Sequence, residues 1–288
     1  MRMAFHLRSM TSKVAKILVV SLLTLAANPA LADGASPWAK GHYAQTRLLS
    51  GQIAGETGDT QILAGVQIKL DPGWKTYWRN PGDSGLPPSF DWSGSQNLKS
   101  AKVLWPAPHR FSDSSGTSIG YTGDVVFPVE IVPDSKAEAV ELKLKLDYAI
   151  CKDICVPAEA KLDLRLAAGG RGSADFAKEI ARHMTMVPRD GAGAPRIECA
   201  KATLKGAAPS IVVEAHFPKG TKGADLFAEA GDDIYLPPPQ TAEMTGEGSV
   251  RFTIAIGDDA EAPKLKGREI KLTLVSDEGA SETLWKVE

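Results

Sequence analysis

The sequence predicts an all-β protein of two β-sandwiches joined by a short helix-containing linker. Period-two hydrophobic alternation recurs along the chain, turn signals separate the runs, and one segment alone carries convincing helical spacing. The alternation is clearest over residues 140–166. Val140, Leu142, Leu144, Leu146 and Tyr148 alternate with Glu141, Lys143, Lys145 and Asp147. After A-I-C-K-D-I-C-V-P, Ala158, Ala160, Leu162, Leu164 and Leu166 alternate with Glu159, Lys161, Asp163 and Arg165. One face of this hairpin suits a core and the other suits water. Its connection brings Cys151 and Cys155 together near one end, with Pro157 expected to limit pairing just beyond the second thiol.

The remaining elements follow in order. Arg2, Arg8, Lys13 and Lys16 accompany an apolar run over residues 17–27, shorter than the ~20 residues of a membrane span. Ala30-Leu31-Ala32 reads as a small-x-small cleavage site. Residues 1–32 are therefore expected to be a signal peptide and the mature chain to start at Asp33. No second apolar stretch is long enough to span a bilayer. Residues 33–168 form the first predicted domain, with strands over 61–70 and 121–132 and the cysteine hairpin. Between them, residues 71–120 hold D-P-G-W, N-P-G-D-S-G-L-P-P and S-D-S-S-G, a Gly/Pro density that marks turns and long loops.

Residues 169–195 are read as the linker. Within it, residues 173–186 form a predicted helix, with Ser173 as N-cap, Asp175 in the first turn and Pro188 beyond the end. Its Phe176, Ile180, Met184 stripe needs an apolar surface and is expected to lie between the two blocks. Residues 196–288 form the second predicted domain, with strands over 211–217, 249–256, 269–275 and 281–287. Pro237-Pro238-Pro239 reads as a stiff loop.

Charge narrows the function classes. Removing residues 1–32 with their four basic residues from 33 Lys+Arg leaves 29 against 35 Asp+Glu, a formal charge of −6. That balance argues against nucleic acid as a partner. No Ser/His/Asp order, paired-carboxylate motif, P-loop or G-x-G-x-x-G supports hydrolase or nucleotide chemistry, and no cofactor is indicated.

The chemistry rests on the cysteines. In an exported chain a nearby pair is more often a structural bridge than a catalytic one. Against that, so short a loop gains only ~2 kcal/mol from a permanent bridge by the chain-entropy model. Lys152 favours the thiolate, the species that attacks a disulfide, while Asp153 opposes it. Cys199 has no evident mate and reads as a small buried residue in a strand. His109, His183 and His216 lack ligand-like spacing to the pair, so no metal site is expected, although thiolate capture of Cu(I) stays open. Trp74, Trp78, Trp92 and Trp105 read mainly as core. A docking surface or lid over the thiols is the other use for aromatics here, with Trp78 and Tyr121 as candidates.

Taken together, G-W-K-T-Y-W-R-N-P-G-D-S-G-L-P-P (residues 73–88), W-P-A-P-H-R-F (105–111), Gly120-Tyr121 and Y-A-I-C-K-D-I-C-V-P-A-E-A (148–160) resemble the periplasmic N-terminal domain of DsbD-type thiol:disulfide interchange reductases, in the pattern of the ScsB-like branch. The resemblance spans roughly residues 42–166. It implies an immunoglobulin-like sandwich for that span; with the second sandwich read from the strand pattern, the chain is expected to hold two immunoglobulin-like β-sandwich domains. It also implies a periplasmic location and a redox pair, Cys151 and Cys155. That pair would take electrons from a membrane-embedded CcdA/DsbD-like donor and pass them to periplasmic thioredoxin-fold proteins. Cys155 would be the nucleophile in mixed disulfides, and Phe111 the candidate for an aromatic cap. Two departures stand out: only three residues separate the cysteines, and the membrane segment and C-terminal thioredoxin domain of full-length DsbD are missing, so a stand-alone carrier is expected. The rivals are a non-enzymatic binding module with a structural bridge, and a copper-handling protein.

Overall fold

The computed structural model describes residues 34–54, 60–113, 116–168, 174–189, 193–231, 233–257 and 262–288. The signal-peptide reading, Asp33 and the Ser173 cap fall outside them. The first sandwich, sandwich I, is built from β1 (Ala39–Lys40), β2 (Ala44–Ala54), β3 (Thr60–Leu70), β4 (Lys75–Gly82), β5 (Ser89–Asp91), β6 (Leu98–Val103), β7 (His109–Asp113), β8 (Gly116–Thr122), β9 (Asp124–Pro133), β10 (Val140–Cys151) and β11 (Cys155–Leu166). Sheet Ia runs β1-β2-β3-β9-β6; sheet Ib runs β11-β10-β4-β8-β7, with β5 also paired to β10. Leu48, Val66, Ile68, Phe127, Val129, Leu142, Leu144, Leu146 and Trp78 fill the space between them. All four tryptophans of residues 74–105 belong to this core or pack against it.

Two expectations change here. The run 121–132 is two strands in different sheets, because Gly123 takes a φ of 70° that other residues rarely adopt and turns the chain from Ib to Ia. The region read as loops, residues 71–120, carries β4 to β7 and most of β8. Its Gly and Pro residues punctuate short strands, and β4 lies in the interior of sheet Ib. The hairpin ladder also runs further than expected: Ala149 is in register with Pro157, and Cys151 with Cys155. Pro157 is tolerated there because β11 is an edge strand.

Helix α1 (Ala174–Met184) covers sheet Ia. It does not lie between the blocks. Gly51 and Gly65 leave a groove on that sheet: a Cβ on Gly51 would come within 2.8 Å of Ile180 Cδ1, and one on Gly65 within 3.0 Å of Ile180 Cγ1. Ile180 enters this groove beside Leu49, Leu63 and Val126, while Arg47 stacks on Phe176. The turn that follows the helix then reaches the second block, where Arg189 N–H donates to Ala280 O (3.3 Å).

Sandwich II contains β12 (Arg196–Thr203), β13 (Ser210–His216), β14 (Asp225–Glu229), β15 (Thr241–Gly246), β16 (Ser249–Ala255), β17 (Glu269–Ser276) and β18 (Gly279–Lys286). Sheet IIa is β12-β13-β16-β15 and sheet IIb is β14-β17-β18. Ile211, Val213, Phe252, Ile254, Leu226, Leu272 and Leu274 make its core. Cys199 is exposed rather than buried: it lies on edge strand β12 beside a bulge that breaks the inward alternation.

The outer face of IIb docks on sandwich I. Along β14, Leu226 and Ala228 face the core of sandwich II, whereas the alternate residues Asp225, Phe227 and Glu229 meet sandwich I. Asp225 takes a hydrogen bond from Arg110 Nε (2.8 Å) and Glu229 one from Arg79 Nε (2.9 Å), while Phe227 packs against Trp78, ring centroids 5.7 Å apart. Val275 joins the same core cluster as Phe227, and Glu282 pairs with Arg79 as well. Burial opposes the charge on Arg79, but its bonds to Glu229 and Glu282 outweigh that and hold the guanidinium above its ordinary value. The described residues thus form one compact unit.

Two expected outcomes follow. Ile180→Ala should cost about 3 kcal/mol, read as a lower urea midpoint, because Ile180 is fully buried and its loss leaves a cavity over the two glycines. His183 is buried on the same helix with its ring against Glu179 O (3.1 Å). Burial holds its pKa below the usual imidazole value, partly opposed by the Glu179 carbonyl. The unfolded chain therefore binds the proton more readily, and the stability due to neutral His183 is present above the ordinary value of about 6.5 and lost as pH falls through the lower folded value. A urea midpoint that drops over this range in the wild type and stays flatter in His183→Gln checks it.

Candidate active site

The hairpin register decides where the cysteines stand. Ile150 faces the core, so its neighbour Cys151 points to the outer face of sheet Ib, next to Lys75 of β4 in the ladder. Cys151 and Cys155, cross-strand partners at the end of the ladder, are joined as a disulfide with Cα atoms 4.2 Å apart. Lys152 N–H donates to Ile154 O (3.2 Å), which tightens the three-residue connection. The two sulfurs belong to unlike residues. Cys151 is 1% exposed, whereas Cys155 is exposed, as is Ile154 beside it at 66%.

Tyr77 covers the inner sulfur. It lies two residues along β4 from Lys75, so its ring shares the outer face with Cys151, while Thr76 and Trp78 point into the core. Its hydroxyl donates to Cys151 Sγ (2.6 Å) and lies 3.2 Å from Cys155 Sγ, touching both reacting atoms. Two glycines fit the strand and its ring, one against the β4 backbone and one against the ring itself. Gly120, opposite Tyr77 on β8, packs so closely on β4 that a Cβ would fall 1.9 Å from Thr76 O. Gly85, at a φ of 130°, lies on the ring face, where a Cβ would sit 2.3 Å from Tyr77 Cε1. Thr76 Oγ1 donates to Ala149 O (2.9 Å) and fixes β4 against β10.

Phe111 is on the same face: its partner on β8 is Ser118, which accepts from Lys75 Nζ (2.9 Å), and its ring centroid lies 5.7 Å from that ammonium. The ring therefore borders the lysine that pairs with Cys151. Trp78 and Tyr121 are elsewhere. Trp78 is 0% exposed and Tyr121 4%, both in the core of sandwich I. Tyr121 Oη donates to Pro106 O (2.8 Å), and burial holds its phenol well above its ordinary pKa. Period two explains the correction: each of these rings has the inward parity of its strand, so packing replaces docking. Tyr77 is the residue that sequence reasoning missed. The signal was the W-K-T-Y-W alternation, which commits Trp78 to the core and its neighbour to the opposite face.

Among the described residues, no three His, Cys, Asp or Glu side chains gather as a metal site, and no helix is long and apolar enough to cross a membrane. What the site offers is an exposed sulfur bonded to a buried one under a tyrosine hydroxyl, on a rigid sheet. That makes sandwich I a thiol:disulfide interchange domain in form. Residues 45–167 match the family model of the N-terminal domain of thiol:disulfide interchange protein DsbD. Residues 186–288 match a domain of unknown function, DUF8393. Curated proteins offer no match. Among solved structures, the chain is similar to the N-terminal periplasmic domain of ScsB from Proteus mirabilis. The identity is 20% and the TM-score 0.70, over 88% of this chain and 98% of that one. The likeness shows the fold.

Gly85→Ala should push Tyr77 off the sulfurs. The expected result is a loss of about 1–3 kcal/mol in stability and a changed rate of bridge reduction by a small dithiol, measured by thiol counting over time.

Proposed function

We propose that the protein is a periplasmic electron relay in which a redox domain, residues 33–168, cycles the Cys151–Cys155 bridge while residues 196–288 form a second domain without thiol chemistry of its own. The observation that carries this reading is the asymmetry of the bridge: exposed Cys155, buried Cys151, and one hydroxyl within reach of both sulfurs.

In the reduced state, Cys155 thiolate attacks one sulfur of a partner disulfide. A mixed disulfide forms and the partner's other sulfur leaves as a thiolate, which takes up a proton. Cys151, losing its proton, then attacks Cys155 Sγ, closes the intramolecular bridge and releases the partner as a dithiol. Two electrons and two protons have passed to the partner. A dithiol donor of the membrane-embedded CcdA/DsbD type reverses the sequence and restores the reduced pair. Partners on the receiving side are periplasmic thioredoxin-fold proteins, recognised by docking around Ile154 and Cys155. The contact of the Phe111 ring with Lys75 supports reading it as a cap on the approach to the pair.

Non-reducing gels with thioredoxin-fold candidates test the relay. Cys151→Ala should accumulate a mixed disulfide through Cys155, since its intramolecular exit is gone, and Cys155→Ala should neither transfer electrons nor trap. Trapping through Cys151 alone would reverse the roles. The bridge should also equilibrate above about −300 mV, the region below which structural bridges lie; a lower potential in a glutathione or dithiol buffer would favour the structural reading.

A further inference from the structure

Sandwich II reaches the redox site by a chain of contacts that the relay leaves unused. Tyr235, in the segment between β14 and β15, donates its hydroxyl to Asp83 Oδ1 of sandwich I. Asp83 is already fixed at its other oxygen, which accepts Thr117 N–H (2.7 Å), and at its own N–H, which donates to Thr117 O (2.8 Å). Two residues on, Gly85 packs on the Tyr77 ring, and Tyr77 Oη lies on both sulfurs. The same end of β4 is held by Arg79, whose guanidinium takes Glu229 and Glu282 from sandwich II.

We propose that Tyr235 is a positioning residue for the Cys151–Cys155 pair, acting through Asp83 and the Gly85 turn on Tyr77. The inference rests on the thiol-exchange reading of this site and assigns part of its tuning to the second sandwich. The physical argument is one of freedom. Beyond Asp83, the turn 83–86 consists of Ser84, Gly85 and the exposed Leu86, so Asp83 is its anchor. A side-chain hydrogen bond at Asp83 restricts where Gly85 rests on the ring, and the ring has little latitude because its hydroxyl must satisfy a buried sulfur. Burial and the neighbouring Asp83 carboxylate hold the Tyr235 phenol above its ordinary pKa, so the donor keeps its proton through the neutral range.

The test uses the full chain. Tyr235→Phe removes one hydroxyl from a half-exposed ring, and Asp83→Asn keeps the shape of the acceptor while weakening it. Both should leave the thermal midpoint nearly unchanged. In the reduced protein each should shift the pH profile of Cys155 alkylation and change its rate on the order of fivefold, the scale of one net hydrogen bond. Tyr77→Phe should shift the same profile, and Tyr235→Phe should add nothing in that background, because its effect passes through the lost hydroxyl. In the oxidised protein, the Cys151 13Cβ and Tyr77 ring resonances should move in Tyr235→Phe. The proposal is overturned if those resonances and the alkylation profile stay at wild-type values, or if the Tyr235 and Tyr77 effects are additive. A wild-type bridge that resists dithiols would sink the relay instead, and the oxidised-state resonances would still decide the role of Tyr235.

Discussion

The register of the β10–β11 hairpin is the constraint on which the rest of the molecule depends. Because side chains alternate between faces, a slip of one residue would turn Ile150 outward and carry Cys151 into the core of sandwich I. The inward set, Val140 to Ile150 taken alternately, is large and apolar, and its partners on β11 repeat the pattern with Leu162, Leu164 and Leu166. The apolar free energy of the core therefore fixes the position of two sulfurs that contribute little to it. The outward parity of Cys151 would normally mean exposure. Here Tyr77, with the same parity on the neighbouring strand, covers it and turns an outer-face residue into a buried one.

Strand β4 joins this constraint to the second sandwich. Its inward residues Thr76 and Trp78 belong to the core, Tyr77 faces the bridge, and Arg79 ends the run in an ion cluster with Glu229 and Glu282 while its guanidinium stacks over Trp78, 4.3 Å from the ring centroid. The partner strand β14 answers with the same periodicity: acid, ring, acid. Phe227 supplies apolar contact between the two flanking ion pairs, which keep the registers of both sandwiches aligned. Removing one member of such a partly buried cluster leaves an unpaired charge, a larger cost than the pair's net contribution. The interface thus resists sliding more than it adds to stability. That property would suit the proposed relay, in which the outer face of the sheet presents a small, fixed target.

How much of this was legible in the sequence depended on which force shaped each element. Strands β3, β10, β11, β13, β16 and β17 were readable because a two-sided environment writes itself as alternation. The helix was readable from its apolar stripe, but its docking face was not. What attracts Ile180 is the absence of side chains at Gly51 and Gly65, and a missing side chain in a strand leaves no pattern to follow. Strands β4 to β7 were hidden by glycine and proline, which here end short strands and admit close contacts instead of building loops. The Gly123 corner was invisible for a related reason: a φ of 70° in one residue redirects a run whose hydrophobicity does not change. The cysteine pair was plain, but its hydroxyl partner was not, because Tyr77 arrives from a strand about 70 residues away and only the fold makes them neighbours.

The asymmetry of the pair bears on how a relay of this kind would avoid becoming trapped. A mixed disulfide is escaped by the second thiol, and the rate of escape depends on how well that thiol is held in line with the first. On reduction the covalent restraint would go, while the register that pairs residue 151 with 155 and the Tyr77 hydroxyl would remain to hold Cys151. Both restraints act on Cys151, the buried member, and leave Cys155 facing solvent where a partner must approach. A longer connection would loosen the resolving thiol, and a fully exposed pair would let either sulfur enter the first step. A cross-strand pair separated by three residues, with one member under a tyrosine, would avoid both, and in the proposed relay burial alone would set the order of attack without requiring a strongly perturbed thiol.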